Sequence, residues 1–154
     1  MIWEELNEEL IFIGLNAQTY QDIMTQMGQK FIDAGYCKET YIKALIDREQ
    51  EYPTGIDIDG IGIAMPHTNI THVNSHAIGI GTLQQDVTFI HMGTDDEKVS
   101  VKVVFMLAVD NPNEHLEKIQ SILSVIQDKE TLKKIIHAKN KNEIITIIKK
   151  KEMA

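Results

Sequence analysis

Ile61-Gly62-Ile63-Ala64-Met65-Pro66-His67-Thr68 is the stretch on which the reading of this chain turns. Branched apolar residues alternate with small ones, as in a strand packed closely against its neighbours, and Pro66, which has no N–H to give a ladder, brings the strand to an end. A single imidazole, His67, is thereby held out at a strand's edge. Neutral imidazole has an unperturbed pKa of about 6.5, so near neutral pH one ring nitrogen is free to attack phosphorus or a carbonyl carbon. A histidine at a strand end also serves simply as a hydrogen-bonding surface residue, so the chemical reading needs partners from elsewhere in the chain.

Around this stretch the period of the pattern is two from Gly55 to Val109. Ile61–Ile63, Ala77–Ile80, Val87–Ile90 and Val99–Val109 read as strands, separated by turn-rich Thr71–Ser75, Gln84–Asp86 and Gly93–Glu97. Outside it the period is helical. After a strand at Leu10–Leu15, Asn16 is placed to cap a helix in which Tyr20, Ile23, Met24, Met27 and Phe31 share a face until Gly35. A second helix runs from about Lys38 to Glu51, with Tyr41, Ile42, Leu45 and Ile46 on one side and Pro53 beyond its end. Asn111-Pro112 opens a third, with Leu116, Ile119, Ile122, Leu123 and Ile126, and shorter helical segments follow at about Glu130–Ala138 and Asn142–Lys150. The expected class is α/β (α+β): a central mixed sheet flanked by helices, in one domain spanning 1–154, with Lys149-Lys150-Lys151 a solvated, dipole-compensating end.

The chain has 154 residues and is 43% hydrophobic, enough for one core. Its 23 acidic and 15 basic residues give a net charge of −8, which disfavours nucleic acid and anionic lipid as partners. One cysteine, Cys37, cannot form an internal disulfide, and Met1-Ile2-Trp3-Glu4-Glu5 lacks the basic and apolar regions of a secretory signal, so a cytoplasmic location is expected. No apolar run reaches the roughly 20 residues that a bilayer requires, so no direct membrane insertion is expected.

Two residues can converge on His67. His115 lies four residues before Ile119 and seven before Ile122, so helical geometry turns its ring toward the packed face. Arg48, three residues beyond Leu45, sits at the border of its helix's apolar stripe. Singly, each has an ordinary structural reading, as a hydrogen-bonded border residue and as a snorkelling cation. Together, a nucleophilic imidazole, a second imidazole and a guanidinium fork are what a transferring phosphoryl group needs, because its transition state calls for positioning and charge stabilisation at the equatorial oxygens.

With those residues in view, the chain resembles the enzyme IIA domains of the bacterial phosphoenolpyruvate-dependent sugar phosphotransferase system, in the mannitol/fructose-type superfamily. Gly62-Ile63-Ala64-Met65-Pro66-His67 reproduces the pattern around that family's phosphorylated histidine, Arg48-Glu49 with Pro53-Thr54-Gly55 matches an upstream motif, and His115-Leu116-Glu117-Lys118-Ile119 a downstream one. The resemblance implies that His67 accepts a phosphoryl group from HPr and passes it to the cysteine of a cognate IIB component, with the IIC permease an indirect partner, and that His115 and Arg48 stabilise the group in transit. It implies no cofactor. Glu51-Tyr52-Pro53-Thr54-Gly55, Pro66-His67-Thr68, His72-Val73 and Phe105-Met106-Leu107-Ala108 look like the galactitol-specific branch. Ile58-Asp59-Gly60 and Thr68 stand where many mannitol- and fructose-type members have Gly-Asn-Gly and Gly, which argues against those two sugars.

Other readings rank lower. No Gly-x-x-x-x-Gly-Lys-Ser/Thr loop is present to orient a nucleotide. His67, His72 and His76 have a spacing that invites a zinc site, but it fits no standard metal helix. A regulatory relative that binds proteins according to its phosphorylation state shares the same motifs. Cys37 reads as a small, partly buried residue, and His91 and His137 as strand-end and helix-end residues. The docking rim around His67 is expected to be apolar, with Met65 and Ile70 contributing.

Overall fold

In a computed structural model that describes Met1–Ala154, the chain lays five strands in one mixed sheet, in the order β1-β4-β5-β3-β2. These are β1 (Ile11–Leu15), β2 (Gly55–Ile58), β3 (Ile61–Ala64), β4 (Ala77–Ile90) and β5 (Lys98–Ala108). β1 runs parallel to β4 and β3 parallel to β5, while β4 with β5 and β2 with β3 are antiparallel. Five helices cover the two faces: α1 (Tyr20–Asp33) and α2 (Tyr41–Glu51) on one, α3 (His115–Ile126), α4 (Lys129–Ile136) and α5 (Lys141–Glu152) on the other. Three short 3-10 turns, Ile2–Glu5, Glu8–Leu10 and Ile70–His72, complete the chain.

Each sheet face closes a separate apolar cluster. On one side Met24, Met27, Phe31, Tyr41 and Leu45 of α1 and α2 meet Leu10, Ala64, Val104 and Met106; on the other Ile126, Leu132, Ile144 and Ile148 of α3–α5 meet Ile63, Met65, Phe105 and Leu107. β5 feeds both by alternation, and it changes parity once. Gly62 pairs with Val101 but Ile63 with Val103, so Lys102 is skipped; Val99 and Val101 belong to the α1–α2 side, whereas Val103, Phe105 and Leu107 belong to the other. The same irregularity answers the expected turn at Gln84–Asp86. There β4 does not stop: it runs on to Ile90 with a register shift between Thr82 and Val87, and the extruded Asp86 takes the Lys102 ammonium at 2.7 and 3.0 Å.

Two glycine-bearing positions set the geometry of β3. Asp59 and Gly60 both adopt positive φ, 50° and 91°, which gives the two-residue hairpin from β2 into β3. A Cβ on Gly62 would stand 2.0 Å from the Ser100 carbonyl oxygen, so only glycine lets β3 approach β5 this closely.

Helix starts depart from the sequence reading in three places. Thr19, not Asn16, caps α1: its hydroxyl accepts from Asp22 N–H at 3.2 Å and the Asp22 carboxylate reaches back to Thr19 N–H. α2 begins at Tyr41 rather than Lys38. Asn111-Pro112 forms a turn, Glu114 N–H donating to the Asn111 carbonyl at 3.0 Å, so α3 starts at His115 itself. The closing lysines stand in the last turn of α5, where their charge suits the dipole, and two of them also have partners: Lys149 lies 4.5 Å over the Trp3 ring and Lys151 pairs with Asp128 at 3.2 Å.

Candidate functional site: two histidines and an arginine beyond strand β3

Three elements meet just past the carboxyl end of β3. The segment Met65–Thr68 leaves the strand between the two helical layers; Leu107 N–H holds the Pro66 carbonyl at 2.9 Å, and Met65 and Thr68 are buried. His67 is thus carried on a backbone fixed on both sides. α2 brings Arg48 from one layer and α3 brings His115 from the other, so the three sequence-expected residues do come together.

The two imidazole rings lie 5.3 Å apart between centroids, tilted by 39°. His67 Nδ1 is 2.9 Å from the Met65 carbonyl oxygen, which can only accept; the proton therefore resides on Nδ1 and Nε2 keeps its lone pair. His115 Nε2 donates in the same sense to the Thr68 carbonyl at 3.1 Å. Burial lowers the pKa of both rings, and the Arg48 guanidinium lowers both further by disfavouring a second positive charge. Each carbonyl bond pulls the other way without reversing the balance, so both rings are neutral at pH 7.

Arg48 is half-buried, its guanidinium 5.1 Å over the Tyr52 ring, and its Nε makes no hydrogen bond within the protein. A groove of about 650 Å³ along the exposed side of α2 reaches Arg48 and His72 but not His67. The site is therefore a shallow, half-covered surface rather than a ligand cleft. Its chemistry is that of a lone-pair nitrogen flanked by a free cationic fork and a second ring that can gain a proton.

The apolar rim differs from the sequence reading. Met65 is fully buried in the α3–α5 cluster and cannot touch a partner, because it still belongs to the inward face of β3. The large apolar residues at the surface here are Leu116, 66% exposed and adjacent to His115, and Tyr52, 56% exposed; Ile70 is half-buried. The zinc reading also fails on geometry. His72 Nδ1 shares a proton with the Thr40 hydroxyl at 2.8 Å, His76 lies between Glu5 and Asp110, and nowhere are three His, Cys, Asp or Glu side chains gathered to hold a metal ion. Cys37 is buried, which pushes its thiol up to about 12 and leaves it inert.

One pair escaped functional reading. Glu49 is buried, and its carboxylate accepts from Thr54 N–H at 2.7 Å and the Thr54 hydroxyl at 2.8 Å, while that hydroxyl accepts from Met65 N–H at 3.2 Å. The sequence carried the signal, an acid directly beside Arg48 and a Thr after Pro53, but pattern alone does not show that the acid turns inward.

The fold is one mixed sheet between two helical layers, with a neutral histidine pair and an arginine gathered past the end of one strand. The chain belongs to the phosphoenolpyruvate-dependent sugar phosphotransferase system EIIA 2 family, whose model matches residues 4–151; it is an EIIA component, a phosphotransferase that carries and transfers phosphoryl groups. It is 30% identical over 123 residues to the galactitol-specific EIIA component of Escherichia coli, covering 80% of this chain and 81% of that one. It is also 30% identical over 142 residues to the mannitol-specific phosphotransferase enzyme IIA component of Staphylococcus aureus, covering 92% of each. Among solved structures, the crystal structure of IIA mannitol from Escherichia coli superposes with a TM-score of 0.78 at 25% identity, over 93% of this chain and 98% of that one. The same fold occurs in the complex of enzyme IIA mannitol with phosphorylated enzyme IIB mannitol from that organism, with a TM-score of 0.79 at 24% identity over 94% and 97% of the chains. No helix is long and apolar enough to cross a membrane.

Proposed function

We propose that Nε2 of His67 takes a phosphoryl group from the phosphohistidine of HPr and delivers it to the cysteine of a cognate IIB component, in the cytoplasm, for uptake of a polyol through the IIC permease. The observation that carries this is the His67 Nδ1–H bond to the Met65 carbonyl, which leaves Nε2 as the nucleophile.

In the first transfer the Nε2 lone pair forms the new N–P bond as the donor's N–P bonding pair returns to the donor imidazole. His67 keeps its Nδ1 proton, so its ring becomes an imidazolium, and the bond to the Met65 carbonyl becomes charge-assisted. Arg48, whose Nε has no competing partner in the protein, balances the phosphoryl oxygens. Neutral His115 has committed its only N–H to Thr68, so its Nδ1 can donate to a phosphoryl oxygen only after gaining a proton. A dianionic group beside it favours that uptake, against the burial that keeps it neutral beforehand. In the second transfer the thiolate of IIB attacks phosphorus and the bonding pair returns to Nε2. Leu116, Tyr52 and Ile70 form the docking rim.

Galactitol is the proposed polyol, supported by the Glu51–Gly55 and Pro66–Thr68 details and by the galactitol-specific relative; mannitol is the second reading, because the mannitol-specific relative is equally identical over a longer span. The test is incubation with phosphoenolpyruvate, enzyme I and HPr. Intact mass should show one acid-labile phosphoryl group, absent in His67→Ala, whose fold is unchanged. Failure of the wild type to gain the group from demonstrably phosphorylated HPr would defeat the proposal.

A further inference from the structure

The hydrogen bonds behind His67 form a directed series that ends on a buried acid. His67 Nδ1–H donates to the Met65 carbonyl at 2.9 Å; Met65 N–H donates to Thr54 Oγ1 at 3.2 Å; the Thr54 hydroxyl donates to Glu49 Oε1 at 2.8 Å, while Thr54 N–H donates to Glu49 Oε2 at 2.7 Å. Every group in the series has one role open to it. A carboxylate only accepts, so the Thr54 hydroxyl must give its proton to Glu49, and its oxygen is then free to accept from Met65. Met65 is held at its N–H by this contact and presents its carbonyl to the imidazole. Burying a carboxylate beside an active site is costly unless its bonds are used, and both of Glu49's oxygens are.

We infer that Glu49 is a positioning residue for phosphoryl transfer: through Thr54 it fixes the Met65 backbone, and so holds the His67 ring with its proton on Nδ1 and its lone pair on Nε2. This rests on the proposed carrier role of His67. Glu49 touches neither phosphorus nor His67.

The charge on Glu49 sets how well this works. Burial raises its pKa to about 7, and the two bonds from Thr54 pull it down only in part. The cleft over the carboxyl is lined by Tyr20 from α1, by Thr88, Phe89 and Ile90 from β4, and by Asp95 beyond it; the titratable groups among these are Tyr20 and Asp95, and no cation stands there to hold the carboxylate charged. Arg48 lies on Glu49's own helix and Tyr52 caps its end. On protonation the new O–H has the Thr54 hydroxyl oxygen as its acceptor, in competition with Met65 N–H. The hold on Met65 therefore weakens as pH falls through about 7.

Two readouts on the intact protein separate this inference from the carrier reading. The first needs no phosphorylation: the ¹⁵N shifts of His67 report its tautomer. Wild-type protein should show the Nδ1–H form, with a second inflection near pH 7 besides the ring's own lower titration. Glu49→Gln and Thr54→Val should both admit the Nε2–H form and remove that inflection, and Thr54→Ser should restore it. The second is the rate of transfer from phosphorylated HPr, expected to fall about tenfold in Glu49→Gln and Thr54→Val, no further in the double variant, and to recover in Thr54→Ser. Should Glu49→Gln fail to fold, Thr54→Val decides alone, since it keeps the acid and its backbone bond. Wild-type His67 shifts and a wild-type rate in Thr54→Val would overturn the inference. A wild type that shows the tautomer signature but takes no phosphate would instead defeat the carrier role.

Discussion

The two faces of the sheet are packed by different chemistry. The α3–α5 side is almost wholly aliphatic, with Ile122, Val125, Ile126, Leu132, Ile135, Ile144 and Ile148 meeting Ile63, Met65, Phe105 and Leu107. The α1–α2 side buries polar groups among its apolar ones: the Tyr41 hydroxyl donates to the Leu107 carbonyl at 2.8 Å, and Glu49 and Thr54 are tied to the segment that bears His67. The aliphatic layer makes the fold; the mixed layer wires the site. If that division holds, core damage on the α3–α5 side should affect stability and leave chemistry alone. Ile126→Ala should cost about 2–5 kcal/mol in urea titrations, while the folded protein accepts phosphate at the wild-type rate. A slowed transfer step in the folded fraction would break the comparison.

The same division explains what was legible in the sequence. The aliphatic layer was, because Ile, Val and Leu at helical spacing have one physical use. The convergence of His67, Arg48 and His115 was, since each stands in a motif whose partners occur in order. Three things were not. The continuity of β4 through Gln84–Asp86 depends on Lys102 being skipped in β5 and pairing with Asp86, a contact between residues 16 apart. Met65 was misplaced because strand alternation continues one residue past the last ladder pair, Ala64 with Val104. Glu49 stayed a motif letter because the direction of an acid at a helix border is fixed by what lies opposite, and Thr54 is supplied by the next element.

Stability as a function of pH should carry the signature of the mixed layer. Glu49, raised to about 7 from an ordinary value of 4.5, binds its proton more tightly in the folded chain. Its contribution is complete below about pH 4.5 and is lost as pH rises through about 7, by at most about 3 kcal/mol. His67 and His115, lowered from 6.5, act with the opposite sign: they favour the folded state above 6.5 and lose that advantage as pH falls through their lower folded values. Glu49→Gln should therefore remove the falling component and leave a profile that climbs toward pH 6.5. Superimposable wild-type and variant profiles from urea titrations between pH 5 and 8 would show that Glu49 is not held as described.

His115 tests where the layers join, since it starts an aliphatic-side helix yet serves the site. Replacing it with Ala should slow transfer roughly 100-fold with little change in HPr affinity, the loss expected of one donor to a developing oxyanion charge. Because the donor form needs an added proton, the reaction should take up a proton as His67 is phosphorylated, measurable in weakly buffered solution with an indicator dye, and less of it in the variant. Equal rates would take His115 out of the chemistry and return it to packing.

The smallest effect belongs to the one large side chain that the aliphatic layer leaves outside at the site. Leu116 follows His115, is 66% exposed and has no packing role to lose, so Leu116→Asp should alter stability by no more than about 0.5 kcal/mol. A charge placed where an apolar contact forms should still weaken docking: the HPr concentration giving half-maximal phosphorylation should rise about fivefold, near 1 kcal/mol, with the rate inside the complex unchanged. Tyr52→Ala, on the mixed layer, removes both an exposed ring and the surface on which Arg48 lies, so it should raise that concentration and slow transfer together. Parallel behaviour of the two variants would mean that the rim is not divided as the layers are. A split between them, affinity alone for Leu116 and affinity with rate for Tyr52, extends the division of labour from the core to the docking surface.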